Sequence, residues 1–302
     1  MKFVKPLIMS ASLLAFSIGN VFAETLKPFT LGSKAAGDIQ SIANDTKGKL
    51  TGAGFEVVGE YSPYDGAMII IITNDDLKKS AASSEMGGYT AAQRVSVTKV
   101  GDEVQVAYTN PVYYSNAYRN DDLSGAEAAL SKLSSTLGDM EAFGSGDKKL
   151  SAKDLKKFHY MFGMEYFDDP SELASYDSYD EAVAAVEKGL AAGAGGASKV
   201  YRIDIPGKKE TVFGVAMTEG CSGDEYIMSR VDKMPLRSTA HLPYEILVSE
   251  DTAYALYARF RIAISYPHLP MIQSDTGATF FNIMCAPNAI EEALIQAAGG
   301  EV

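Results

Sequence analysis

The 302-residue sequence lacks the short motifs on which common catalytic sites are built. It has no G-x-S-x-G nucleophile turn, no H-E-x-x-H zinc motif and no glycine-rich loop of the kind that cradles phosphate groups. Acidic pairs such as Asp75–Asp76 are typical of solvated turns and do not have EF-hand spacing. The sequence therefore favours a protein without catalytic activity, and an enzyme built from scattered residues is the alternative.

The chain also lacks any run of basic residues. It carries 39 acidic and 27 Lys or Arg side chains, which gives a formal net charge of −12. Nucleic-acid binding depends on Lys and Arg releasing counterions from phosphates, so a surface this acidic repels nucleic acid and anionic lipid alike. No nucleic-acid partner is expected.

Only the N-terminus has a long apolar run. Lys2 and Lys5 precede the segment "PLIMSASLLAFSIG", and "VFA" at positions 21–23 supplies small residues for cleavage after Ala23. This is the pattern of a secretory signal peptide over residues 1–23, and it is too short for a membrane anchor. It predicts a soluble periplasmic or secreted protein with no membrane span.

Cysteine is scarce, since only Cys221 and Cys285 occur. In an oxidising compartment two cysteines usually pair, so we expect a disulfide. Two buried thiols that never meet are the alternative. The absence of C-x-x-C makes a redox-active pair the weakest interpretation.

The chain contains one internal duplication. The segments 90–111 and 239–267 both begin with "TA", turn at a polar stretch and end in a proline, and each follows an amphipathic helix and two strands. The pattern predicts an α+β fold of two tandem β-α-β4-α units, with antiparallel sheets packed by helices on one face. The expected bounds are 24–146 for the first unit, 147–170 for a linker with a short helix, and 171–302 for the second.

The two repeats resemble a bacterial family catalogued as a domain of unknown function, DUF 302. The resemblance is carried by "GFEVVGEY", "AMIIIITN" and "RVSVTKVGDEVQVAYTNP" in the first repeat, and by "SYDEAVAAVEKGL", "AHLPYEILV" and "ISYP" in the second. It implies a TBP-like α+β fold and no particular reaction. The tandem arrangement, the signal peptide and the long second hairpin depart from the family pattern.

Two of the three histidines lie in copies of the tripeptide "HLP". His241 is expected at the entry of one strand and His268 just past the exit of its partner, with Met271 three residues further on. Imidazole and thioether ligands suit copper, so these three residues are a candidate metal site. The alternative is that the prolines end the strands and the histidines lie at the rim of the sheet. Apart from copper, no cofactor is expected.

Tyrosines are dense in the segment 110–121. This segment and 266–275 are expected to be corresponding loops that follow the last strand of each repeat. Tyrosine suits a ligand surface and equally a contact between domains, because its ring can be buried while its hydroxyl stays hydrated. Tyr113, Tyr114, Tyr118 and Tyr266 are the candidate ligand-binding residues.

The sequence thus favours an exported tandem-domain protein that binds a small ligand or a protein partner. A periplasmic copper-handling protein and an enzyme with an active site between the domains are the alternatives. An enzyme would need a buried carboxyl or histidine with a shifted pKa in the cleft.

Overall fold

A computed structural model of the chain describes residues 25–302. The predicted signal peptide lies outside the described residues. Within residues 25–302, no helix combines the length and the apolar character that crossing a bilayer requires.

The first unit, residues 29–143, consists of a six-stranded sheet and four α-helices. Its elements, in chain order, are β1 (Phe29–Ala35), α1 (Ile39–Gly52), β2 (Glu56–Tyr61), β3 (Ala67–Thr73), α2 (Asp75–Ala82), β4 (Gln93–Val100), β5 (Glu103–Thr109), α3 (Pro111–Ala117), α4 (Ser124–Leu137) and β6 (Glu141–Phe143). The short helix α5 (Ala152–Leu155) follows in the predicted linker.

The second unit is a five-stranded sheet with its own four helices. Its elements are β7 (Ser171–Ser175), α6 (Tyr179–Ala191), β8 (Ala197–Asp204), β9 (Glu210–Met217), α7 (Asp224–Val231), β10 (Tyr244–Ser249), β11 (Thr252–Ala255), α8 (Ala258–Ser265) and α9 (Ala286–Ala298). All strands of both sheets lie within the bounds predicted for their units.

The two sheets have the same strand order. The first runs β2-β3-β4-β5-β1-β6 and the second runs β8-β9-β10-β11-β7, so apart from β6 each reads 2-3-4-5-1 within its own unit. All pairs within the sheets are antiparallel. The predicted α+β class is confirmed. The duplication itself stays a prediction, which the shared order supports.

Each unit contains more helix than the predicted β-α-β4-α pattern allows. A helix, α2 in the first unit and α7 in the second, separates the third strand from the fourth, and two helices instead of one follow the fifth strand.

The acidic pair Asp75–Asp76, expected in a turn, lies in the first turn of α2. Asn74 caps that helix by accepting a hydrogen bond from the backbone N–H of Leu77 at 2.9 Å.

The second hairpin is shorter than predicted. Its last strand, β11, ends at Ala255, and the segment that was expected to continue it forms α8. Apolar residues at positions 258, 260, 262 and 264 alternate with arginine, alanine or serine, which is a strand period, yet the segment forms a helix in which nearly every residue is buried. Periodicity therefore predicts a strand here, and the prediction is wrong because the helix is buried on nearly all sides and needs no single apolar stripe.

The sheets pack face to face. In the first unit, α1 and α4 cover one face through a core that contains Val95, Val97 and Leu133. The opposite face, which carries Ile69 and Ile71, joins a larger core that continues into the second unit. The two units therefore share one hydrophobic core.

Strands β2 and β8 meet edge to edge at this junction. Each has a register irregularity, at Val58 in the β2–β3 pairing and at Val200 in the β8–β9 pairing. Between them stands Gly59, where a Cβ atom would collide with the carbonyl oxygen of Val200 and lie 3.0 Å from the Cβ atom of Tyr201. The edges approach this closely because Gly59 has no side chain.

The predicted disulfide joins Cys221 to Cys285, with their Cα atoms 5.9 Å apart. Cys221 lies in a short 3₁₀ turn after β9, and Cys285 is the N-cap residue of α9. The bond closes a loop of 64 residues and ties the segment before α7 to the last helix.

We expect Gly59→Ala to lower the free energy of unfolding by about 1–3 kcal/mol, because the added methyl group forces β2 and β8 apart. Gly48→Ala is the matched control, since a Cβ atom at this exposed α1 position meets nothing within 4 Å. That change should be neutral or stabilise by up to about 1 kcal/mol. Urea unfolding of both variants makes the comparison, and equal stabilities would contradict the close contact.

Candidate functional site

A cluster of buried charges links the two sheets at their centre. Arg94, the second residue of β4, forms an ion pair with Glu245, the second residue of β10. Arg261 of α8 contacts the other oxygen of the same carboxylate, with its Nε atom 3.4 Å from Oε2. The hydroxyl of Tyr201 donates to Oε1 at 3.3 Å. All four side chains are almost completely buried.

His241 completes this cluster and is fully buried. Its Nδ1 atom lies 3.0 Å from a guanidinium nitrogen of Arg261, and its Nε2 atom lies 3.1 Å from the hydroxyl of Tyr244. Because a guanidinium only donates, Nδ1 accepts and Nε2 carries the proton. Burial, together with the charges of Arg261 and Arg94, holds the pKa of His241 well below its ordinary value. The ring is therefore neutral, and both nitrogens have protein partners.

The other two candidate copper ligands lie in the loop after α8. His268 is half-buried, and its Nδ1 atom lies 2.8 Å from the carbonyl oxygen of Gly144, to which it donates. Met271 packs at the edge of the shared core. The ring of Tyr266 lies near both imidazoles, with its centroid 5.3 Å from that of His241 and 6.5 Å from that of His268.

This geometry does not favour copper, since a metal would have to displace one hydrogen-bond partner of His241. Within residues 25–302, no group of three or more His, Cys, Asp or Glu side chains is placed to hold a metal ion. Copper binding at His241, His268 and Met271 stays a prediction.

The candidate tyrosines lie in the contact between the units. The segment 110–121, expected to be a loop, contains helix α3, on which Tyr113 donates to the carbonyl oxygen of Ile264 at 2.8 Å. The hydroxyl of Tyr114 lies 3.1 Å from that of Ser265 on α8. These two tyrosines, with Tyr118 and Tyr266, are almost completely buried. Their burial places them in the contact between the units and away from the rim of an open groove, and ligand binding by them stays a prediction.

A groove runs along α7 at the junction of the units. It consists of three adjoining cavities of about 230, 390 and 340 Å³. The first two share the lining residues Pro63, Met217 and Thr218, and the last two share Glu225 and Ser229. The first unit supplies the wall that contains Tyr61 and Tyr64, and α7 forms the other wall. We call this feature the α7 groove.

Asp224 lines one end of the α7 groove at the start of α7. Its Oδ2 atom accepts hydrogen bonds from the hydroxyl of Tyr61 at 3.0 Å and from the backbone N–H of Met217 at 3.4 Å. Its Oδ1 atom is buried and has no hydrogen-bond donor among the described residues. Burial raises the pKa of this carboxyl from 3.8 to about 7, although both hydrogen bonds act to lower it.

Asp232 lines the other end of the α7 groove. Its Oδ1 atom accepts from the backbone N–H of Ser238 at 2.9 Å, and its Oδ2 atom has no donor among residues 25–302. Burial again raises the pKa of the carboxyl to about 7, and the Ser238 hydrogen bond and Arg237 only partly offset this. The groove therefore has a buried carboxyl at each end, and one oxygen of each has no hydrogen-bond donor among the described residues.

Positive charge lines the middle of the groove and the end near Asp232. Arg230 lies in the central cavity, with its guanidinium carbon 3.5 Å from the centroid of the Tyr226 ring. Lys99, Lys233 and Arg237 line the cavity at the Asp232 end. The hydroxyl of Tyr226 lies 3.3 Å from the Sγ atom of Cys285, so the disulfide anchors this wall to α9.

No protein-family model, no curated protein and no solved structure matches the chain. The resemblance to DUF 302 consequently stays a prediction.

Sequence reasoning missed the α7 groove, although α7 carries a signal for it. Asp224 shares one helix face with Ile227, Met228 and Val231, which recur at the spacing of an amphipathic helix. An aspartate on the apolar face of a helix is either paired or has a shifted pKa, because burial disfavours its charged form. Recognising α7 as a helix would have singled out Asp224.

The two raised pKa values predict a specific pH dependence of stability. Between about pH 4 and about pH 7, the folded protein keeps protons on Asp224 and Asp232 that the unfolded chain releases, so raising the pH through this window lowers the free energy of unfolding. In the Asp224→Asn/Asp232→Asn variant this decrease should be smaller. Urea unfolding across the window measures both slopes, and parallel curves would contradict the assignment.

Proposed function

We propose that this chain is a non-catalytic binding protein whose α7 groove takes a small organic ligand bearing an amino group or another N–H donor. The observation that supports this most directly is the pair of buried carboxyls, Asp224 and Asp232, each with one oxygen that lacks a donor within residues 25–302. A buried acceptor without a donor costs about 1–3 kcal/mol, and a ligand N–H placed in the groove would remove that cost.

The position of the groove also supports binding. Ligand sites occur preferentially where domains meet, and the α7 groove has one wall from each unit. Lys233, Arg237 and Arg230 supply positive charge between and beside the two carboxyls. A small zwitterion, with an amino group and an acidic group, matches this distribution of charge.

Export to the periplasm or beyond, cleavage after Ala23 and kinship with DUF 302 belong to the same proposal. The disulfide between Cys221 and Cys285 is compatible with an oxidising compartment. The common strand order of the two sheets is compatible with a tandem repeat of one domain.

An enzyme is the second candidate, and the same carboxyls favour it. A general acid or base works best when its pKa lies near the working pH, and burial raises the pKa values of Asp224 and Asp232 to about 7. The hydroxyl of Ser229, which also lines the groove, donates to the carbonyl oxygen of Tyr226 at 3.1 Å and accepts from a guanidinium nitrogen of Arg230 at 3.3 Å, so neither hydrogen bond joins it to a base. An enzyme here would use acid–base chemistry and not a serine nucleophile.

The test is a native mass spectrum of the unreduced protein, produced with its own leader and purified from the compartment to which it is exported. We expect added mass from a bound ligand. Asp224→Asn and Asp232→Asn should each reduce the bound fraction by about tenfold or more, because each loses a charge-assisted hydrogen bond to the ligand.

Asp75→Asn is the matched control, because Asp75 begins α2 as Asp224 begins α7, yet its side chain is exposed. This variant should keep the added mass. Bare protein in every preparation, or an added mass that the groove variants retain, would contradict the proposal. A ligand that is released chemically changed would favour the enzyme.

A further inference from the structure

Several large apolar side chains are exposed on two neighbouring segments, residues 160–162 and residues 269–284. Phe162 is 99% exposed, Ile272 79%, Met284 62%, Phe281 60% and Met161 43%. We call these five residues the apolar patch. Single exposed apolar residues are ordinary on protein surfaces, but a group of this size marks an interaction site.

Contacts between the two segments hold the patch together. The ring of Tyr160, next to Met161, lies 5.7 Å from the ring of Phe280, next to Phe281. The hydroxyl of Tyr160 donates to the carbonyl oxygen of Leu269 at 3.1 Å. Within the second segment, the backbone N–H of Phe281 donates to the carbonyl oxygen of Met271 at 3.0 Å, which brings Phe281 close to the residue that precedes Ile272.

A lysine-rich stretch borders the apolar patch. Residues 147–160 contain five lysines and two aspartates, which gives a local charge of 5 − 2 = +3 in a chain whose net charge is −12. The lysines are Lys148, Lys149, Lys153, Lys156 and Lys157, all of which are exposed. None of the five forms an ion pair with a residue in the described part of the chain.

Both ends of this stretch are fixed beside the patch. Gly146, which precedes it, packs so closely on His268 that a Cβ atom there would lie 2.9 Å from the Cβ atom of His268. Tyr160, the last residue of the stretch, is held by the hydrogen bond from its hydroxyl to the carbonyl oxygen of Leu269. The stretch that carries the lysines is therefore attached at both ends to residues 268–269, which lie shortly before Ile272 in the chain.

Two acidic side chains near the patch are already neutralised. Glu165 forms an ion pair with Arg259, and Asp168 forms one with Arg119 at 2.5 Å. Three aspartates of the stretch 147–170, Asp147, Asp154 and Asp169, have no ion pair among the described residues, so with the five lysines the local charge is 5 − 3 = +2.

We propose that the apolar patch docks the protein on the surface of an anionic phospholipid bilayer. Phe162, Phe281 and Ile272 enter the boundary between headgroups and acyl chains, and the bordering lysines contact the phosphates. Exposed aromatic residues beside lysines are the composition of segments that lie in the membrane interface. Interfaces between proteins, by contrast, are depleted in lysine and enriched in arginine.

The overall negative charge does not oppose this contact. At physiological ionic strength, charges separated by more than about 8 Å are largely screened. The lysines next to the patch therefore govern its attraction to lipid, and the acidic surfaces elsewhere contribute little.

The test is co-sedimentation of the processed chain, Glu24 to Val302, with vesicles of phosphatidylcholine alone or mixed with phosphatidylglycerol. We expect binding to the mixed vesicles that weakens as salt is added. Phe162→Ser combined with Phe281→Ser should lower the affinity by about tenfold or more, because two apolar side chains no longer enter the interface. Replacing Lys148, Lys149, Lys156 and Lys157 by glutamine should remove the preference for phosphatidylglycerol.

Met140→Ser is the matched control, since Met140 is also 62% exposed but belongs to neither segment. It should bind as the unmodified protein does. Failure to bind any vesicle, equal binding to neutral vesicles, or binding that the phenylalanine variant retains would overturn the proposal. So would a dimer, detected by light scattering, that the phenylalanine variant disperses, because a second copy would then cover the patch.

Discussion

The carboxylate of Glu245 is the constraint on which the arrangement of the two units depends. It lies between the guanidinium groups of Arg94 and Arg261, one from each unit, in a region closed to water. Because His241 is neutral, the cluster carries two positive charges and one negative charge. Burying a guanidinium without a counter-ion costs a large free energy. The buried position of Arg94 in the first unit therefore requires Glu245 of the second unit.

The groove follows from this packing. With the sheets held face to face, the hairpin that carries Tyr61 and Tyr64 lies opposite α7, and the space between them becomes the α7 groove. Gly59 lets the edge strands β2 and β8 meet at one side of this space. The disulfide at Cys221 fixes the start of the α7 wall. Asp224 and Asp232 are buried because the units close over them, and this burial raises their pKa values.

The sequence predicted those elements whose pattern is local. The helical faces of α1 and α6 are periodic, and buried residues such as Leu50 and Leu190 lie where that period places them. Helix α3 had a local signal that went unused, since Asn110 and Pro111 are typical of an N-cap and a first helical residue. Helix α8 had a misleading signal, because its residues alternate as in a strand and its burial on nearly all sides leaves no helical stripe.

The candidate site could not be predicted because it depends on contacts between units. Arg94 stands in an alternating strand, at a position that would be solvated in an isolated sheet. Only the second unit buries it, and nothing near Arg94 in the sequence points to Glu245, about 150 residues away. The same holds for His241. Its sequence position left both ring nitrogens available for copper, whereas in the folded chain Arg261 and Tyr244 are their hydrogen-bond partners.

The measurement that tests this account most directly is the stability of Glu245→Gln against that of Arg94→Met in urea unfolding. Removing the carboxylate leaves two buried guanidinium groups uncompensated and should cost about 3–5 kcal/mol. Removing Arg94 leaves Glu245 paired with Arg261 in a neutral cluster, so it should cost clearly less. If Arg94→Met is as destabilising as Glu245→Gln or more so, Glu245 is not the charge on which this buried cluster depends.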